Sequence, residues 1–148
     1  MTVVFAAIVA VALGVFGVVA IRKKLKYSMF FIDRMRGEKF ERFVAELYED
    51  LGYKTTNTSL SGDQGIDVII KKGFLKKGLQ VKRYSSPVGN SAVQEAVAGK
   101  KFYKLNKVAV ITNSTFTKAA RALAKANGVE LIDREGLKAL IGKVKEKK

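Results

Sequence analysis

The chain opens on nineteen residues, Val3 to Ile21, without a charge, and every Lys, Arg, Asp and Glu lies after them. A run like that cannot form a water-facing surface, so it and the remainder must fold by different rules. As a helix rising about 1.5 Å per residue it would nearly cross a hydrocarbon core of about 30 Å. Gly14 and Gly17 are tolerated in a membrane helix, and Arg22, Lys23, Lys24 and Lys26 come directly after it. By the positive-inside rule that basic cluster would keep the carboxy-terminal remainder of the chain in the cytoplasm. A cleaved signal peptide fits less well, because there is no charged leading region and no clear small-x-small cleavage site. A buried core helix is the third reading. The expectation is a transmembrane helix over residues 1–22, with residues 3–21 in the membrane, a single pass and a cytoplasmic carboxy-terminal domain. Residues 23–36 read as a basic juxtamembrane linker with Tyr27, Phe30 and Phe31 at headgroup level.

The rest of the 148 residues suffices for one domain with its own core. It carries the whole net charge of +15. Such an excess favours a polyanionic partner, either nucleic acid or an anionic membrane face; a solvated Lys-rich surface is the plainer alternative. There is no His and no Cys. Triads, His general bases, thiol nucleophiles, zinc–cysteine sites and disulfides are therefore excluded. Catalysis must rest on Asp, Glu, Lys, Arg, Tyr, Ser or Thr, with a hard cation such as Mg²⁺ or Mn²⁺ suited to oxygen ligands.

Phe40, Phe43, Val44, Leu47, Tyr48 and Leu51 make one apolar stripe at helical spacing, so Gly37 to Leu51 reads as a helix ended by Gly52. Glu41 lies just beyond the Tyr48 edge of that stripe. A Thr-rich strand over 53–59, a turn over 61–65 and an apolar strand over 66–71 come next. Residues 72–78 read as a basic hairpin tip or loop, and 79–84 as the returning strand. Alternation puts Gln80 and Lys82 on one face and Leu79, Val81 and Arg83 on the other. Helices over 90–104 (Ser91 as N-cap), 116–127 and 135–143 alternate with strands over 108–112 and 129–132. The class is α/β, with a mixed sheet flanked by helices, and the Lys-rich end over 143–148 reads as a frayed basic tail.

Within this pattern Gly62-Asp63-Gln64-Gly65-Ile66-Asp67 is succeeded by Gln80-Val81-Lys82-Arg83. Two strands joined by a turn would bring the Asp67 carboxylate, the Gln80 amide oxygen and the Lys82 ammonium together on one sheet face. Such a set could hold a divalent ion and a water beside a phosphodiester, which suggests a nuclease.

These segments, with Gly37-Glu38-Lys39-Phe40-Glu41, Leu51-Gly52-Tyr53, Thr112-Asn113-Ser114-Thr115-Phe116-Thr117 and Leu131-Ile132-Asp133, resemble the Mrr-like restriction endonuclease domain of the PD-(D/E)XK nuclease superfamily. The resemblance spans residues 37–142. It implies a restriction-endonuclease-like core and Mg²⁺-dependent cleavage of DNA. It maps Asp67 to the metal carboxylate, Gln80 to the second acidic position, Lys82 to the lysine and Glu41 to the acid on the first helix. The chain departs from the superfamily in having Ile66 rather than Pro before Asp67, and the neutral Gln80 in place of an acid.

The expected catalytic set is then Glu41, Asp67, Gln80 and Lys82, with Asp67, Gln80 and the Val81 carbonyl as metal ligands. Each has a plainer alternative: a strand-start aspartate, a polar strand face, a solvated helix residue. Asp63, Gln64, Arg83, Tyr84 and Ser114 are candidates for contact with DNA, against ordinary turn, exposed-loop and capping roles. The expected function is a membrane-anchored endonuclease acting on double-stranded DNA, in restriction of foreign or modified DNA. One active centre must nick, or pair with a second copy as a homodimer, to cut both strands. The rivals are a degenerate nuclease fold that binds DNA at the membrane, and a lipid-surface domain.

Overall fold

The computed structural model describes residues 2–58 and 64–147. The chain divides into two units, Met1–Arg34 and Met35–Lys148.

The first unit holds α1 (Thr2–Lys26) and the short α2 (Met29–Ile32). Val11, Leu13, Phe16 and Val18 of α1 are exposed. Among the described residues, no helix is long and apolar enough to cross a membrane. The transmembrane anchor expected over residues 1–22 is therefore not supported. The helix does not stop where the apolar run stops; it continues through the basic cluster to Lys26. What read as a linker contains a helical turn, and Tyr27 is buried rather than turned outward. Phe30 and Phe31 are exposed, with the Arg34 guanidinium over the Phe30 ring.

The second unit is an α/β domain. Its elements are α3 (Gly37–Asp50), β1 (Lys54–Asn57), β2 (Val68–Lys72), β3 (Leu75–Lys82), α4 (Asn90–Phe102), β4 (Lys107–Thr112), α5 (Lys118–Asn127), β5 (Glu130–Ile132) and α6 (Arg134–Glu146). The five strands run in the order β1-β2-β3-β4-β5. β1, β2 and β3 pair antiparallel, while β3, β4 and β5 pair parallel. The parallel steps need a crossover, and α4 and α5 supply one each. Ala92, Val93 and Ala96 of α4, Ala120 and Ala124 of α5, and Val108 and Val110 of β4 form one core cluster. The remaining helices, α3 and α6, pack together, α3 against β1–β3 and α6 against β4 and β5. Strand alternation thus gives each layer its own set of side chains.

The hairpin between β2 and β3 is tighter than expected. Lys72 pairs with Leu75 across Gly73 and Phe74, and Gly73 has φ of 56°. Positive φ at the first central residue alone is the mark of a type II′ turn. Lys76 and Lys77, which read as loop, are strand residues because their heads find partners. The Lys76 ammonium donates to the Tyr103 carbonyl and that of Lys77 pairs with Glu130. Gly89, not Ser91, is the N-cap of α4, and α5 begins after Thr117, whose side chain accepts from the Ala120 amide. α6 runs through Glu146 with Val144 buried, so the basic end is largely helical.

Candidate active site

Asp67 stands one residue before β2. Its amide donates to the Leu79 carbonyl at 2.9 Å, and its carbonyl accepts from Thr58 at 2.9 Å. The carboxylate turns back across the hairpin, where Oδ2 accepts from the Val81 amide at 2.6 Å. The β2–β3 register ends with Val68 opposite Leu79, and Asp67 stands just beyond it. Gln80 and Lys82 share one face of β3 by alternation, and the Asp67 charge acts on Lys82.

Asp67 is 5% exposed and Gln80 1%. The Gln80 Nε2 donates to Oε2 of Glu95, on α4, at 2.9 Å. A carboxylate can only accept, which assigns the amide: nitrogen toward Glu95, oxygen away from it. That oxygen, Oε1, is buried with no hydrogen-bond partner among the described residues. Leaving such an acceptor unmet costs about 1–3 kcal/mol, so a buried orphan invites a functional explanation.

The same Glu95 oxygen pairs with the Lys82 ammonium at 2.7 Å. Burial pulls the Lys82 pKa down, but the Glu95 hydrogen bond and the negative charges of Glu95 and Asp67 more than offset it. The net shift is upward, so Lys82 is a fixed cation near neutral pH and not a base.

A close approach of backbones holds this geometry. Gly65 has φ of 82° and sits against the backbone of Glu95, where a Cβ would overlap the Glu95 carbonyl. Gly99, one turn along α4, faces Ile66 and the Gln64 carbonyl, so a Cβ there would meet the Gln64 oxygen at 2.8 Å. Two glycines let the segment before Asp67 lie directly on α4.

The loops after β3 and β4 are stapled together beyond the site. The buried Asn113 accepts the Tyr84 amide at 2.9 Å, its carbonyl accepts from Arg134 at 2.9 Å, and the Ser114 hydroxyl donates to the Ser86 carbonyl at 2.9 Å. This is the carboxyl-terminal edge of the parallel strands, where open α/β sheets place ligands.

Of the expected contact residues, Gln64 and Tyr84 are exposed, Arg83 is half-buried, and Ser114 spends its hydroxyl on the loop staple. Asp63 lies outside the described residues. Val81 enters through its amide, which Asp67 occupies. Glu41 is half-exposed on α3. Among the described residues, no three carboxylates gather where one ion could bind.

Glu95 was not among the expected residues. The available signal was its place at the edge of a buried stripe made by Ala92, Val93, Ala96 and Gly99, the same kind of position that singled out Glu41. The oxygen donors present, the Asp67 carboxylate and the orphaned Gln80 Oε1, fit a hard divalent cation that keeps its other positions for water and phosphate.

The sequence family described as Mrr_cat, restriction endonuclease, matches residues 32–141. No curated protein matches the chain. Among solved structures, a protein of unknown function, AF1548, is similar with a TM-score of 0.56 and 18% identity. The likeness covers 66% of this chain and 62% of that one, and it concerns the fold. The MspJI restriction endonuclease in complex with a 27-mer oligonucleotide gives a TM-score of 0.46 at 22% identity, over 82% of this chain and 30% of that one. The chain thus spans less than two thirds of the length of either.

Proposed function

Because the chain belongs to the Mrr_cat family of restriction endonucleases, we propose that it is a divalent-metal-dependent endonuclease that hydrolyses phosphodiester bonds of double-stranded DNA, foreign or modified. One observation carries the metal dependence: a buried amide oxygen, Gln80 Oε1, without a partner among the described residues, one residue from the Val81 amide that holds the Asp67 carboxylate. Mg²⁺ or Mn²⁺ bound by Asp67 and Gln80 would supply Lewis-acid stabilisation of phosphoryl oxygens and acidify nearby water. The Val81 carbonyl remains a candidate ligand, and Glu41 a candidate outer carboxylate.

The chain's own groups divide the remaining work. Val81 fixes the Asp67 carboxylate by donating to Oδ2. Lys82, held protonated, offsets phosphate charge and orients water by donating to it. The +15 charge supports attraction to a polyanion. Gln64, Arg83 and Tyr84, with Asp63 and Ser114, remain the proposed DNA contacts.

The test is cleavage of plain and methylated duplexes by the full chain with Mg²⁺ or Mn²⁺, beside Asp67→Ala and Lys82→Ala. Loss of about 10²-fold or more in both variants supports the reading, on the scale of losing one electrostatic group of an active site. Equal cleavage by all three, or none with any divalent ion, overturns it.

A specific observation favours a second reading. The neutral Gln80 and the absence of three converging carboxylates among the described residues suit a nuclease fold that binds DNA without cutting it. Tight, salt-sensitive binding with no turnover would select it. Membrane association with residues 35–148 on the cytoplasmic side is proposed on sequence alone, from the uncharged run and the basic cluster after it. Fractionation of cells into membrane and soluble pools tests it. Pairing of two copies for double-strand cuts is likewise a proposal, read out as linear product appearing without a nicked precursor.

A further inference from the structure

Gln80 raises a question that the nuclease reading leaves open: how a neutral amide serves at a position where the wider superfamily carries an acid. An amide has two chemically opposite ends, and in isolation neither is preferred in the site. Here Glu95 settles which end faces where. Its Oε2 accepts from Gln80 Nε2 at 2.9 Å and from the Lys82 ammonium at 2.7 Å. Reversing the amide would set its oxygen against a carboxylate oxygen and forfeit the hydrogen bond. The arrangement without that conflict leaves Oε1 turned away from Glu95, buried and without a partner among the described residues.

The carboxylate also supplies negative charge within reach of Lys82, which an acid in the strand would otherwise provide. The Glu95 main chain in turn lies against Gly65, where a Cβ would overlap its carbonyl.

We propose that Glu95 is a positioning residue: it orients the Gln80 amide so that its oxygen faces the metal site, and it carries on the helix the negative charge that the strand position lacks. The Gln80–Glu95 pair is a permuted version of an acid in the strand facing an amide on the helix. This inference rests on the nuclease reading only for the use of the site, because the orientation itself concerns the free protein.

The positioning role has two consequences. Restoring the acid by Gln80→Glu damages the site, because two carboxylates then meet at hydrogen-bond distance in a half-buried place. The exchange Gln80→Glu with Glu95→Gln repairs it, because the donor and acceptor have simply traded places.

The experiment compares the full chain with Gln80→Glu, Glu95→Gln and the double exchange. The first readout is Tm in chelator, without metal or DNA. The second is Mn²⁺ affinity by calorimetry. Each single variant is expected to lower Tm and the double to recover most of the loss. Glu95→Gln keeps shape and hydrogen-bonding capacity, so a packing role would leave Mn²⁺ affinity unchanged. Loss of orientation instead weakens it about tenfold, within the range of coupling between neighbouring groups, and the double restores it.

Additive Tm losses, or wild-type Mn²⁺ affinity in Glu95→Gln, overturn the proposal. If Gln80→Glu alone fails to fold, a folded double supports the proposal and an unfolded double overturns it. Rescue of Tm and Mn²⁺ binding in a protein that cuts no DNA keeps the positioning role while the nuclease reading falls. Cleavage with purely additive losses does the reverse.

Discussion

Gly65 and Glu95 touch through their backbones, with the glycine at φ of 82° and no room for a Cβ beside the Glu95 carbonyl. This contact fixes the distance between the segment that delivers Asp67 and the helix that delivers Glu95. It makes a non-catalytic residue the mechanical link between the two carboxylates of the site.

Gly65→Ala is therefore expected to cost about 1–3 kcal/mol, from strain at positive φ together with overlap at α4. The effect on cleavage should exceed the effect on stability, because separating the segment from α4 displaces Asp67 relative to Gln80. Chemical denaturation and cleavage rates measured on one preparation check this. A variant with reduced stability but unchanged cleavage would show that the contact does not set the site.

Lys82 gives a pH signature. Its pKa is raised above the ordinary 10.5, chiefly by Glu95 against the opposing effect of burial. A raised cation stabilises the fold fully below its unfolded pKa and loses that contribution as pH climbs through its folded value. The stability gap between wild type and Lys82→Met should stay level from pH 6 to about pH 10 and close above that. Cleavage between pH 7 and 9 should show no loss from lysine deprotonation. A gap that closes near neutrality would contradict the Glu95 pairing.

Asp133 makes the opposite case at acid pH. Its carboxylate caps α6 by accepting from the Gly136 amide at 3.1 Å and pairs with Arg121 at 3.2 Å. Burial acts to raise its pKa, but these partners outweigh it and the net shift is below 3.8. A depressed carboxylate stabilises above its unfolded pKa and loses that contribution as pH falls through the folded one. Asp133→Ala should cost about 1 kcal/mol at pH 7, the usual worth of a side-chain cap, and the difference should vanish in acid below its folded pKa. Thermal denaturation from pH 7 downward measures both, with little effect expected on metal binding.

Much of the fold was legible because its signals are local. The stripe from Phe40 to Tyr48 gave α3 almost to the residue, since a period near 3.6 belongs to one helix alone. Alternation over Gln80, Val81 and Lys82 assigned faces correctly for the same reason. The misread stretches were those whose local signal pointed the wrong way. Lys76 and Lys77 resemble loop residues until Tyr103 and Glu130 are brought up to receive them.

By itself, then, the sequence determined the chemistry available: no imidazole, no thiol, and an aspartate, an amide and a lysine carried by one hairpin. The tertiary structure alone decided how that chemistry is arranged. Which helix lies over a strand face depends on packing between distant segments, and no periodicity within either one reports it. The crossover after β3 laid α4 on the face that holds Gln80, two glycines let it come close, and Glu95 thereby chose which end of the Gln80 amide is left for the site.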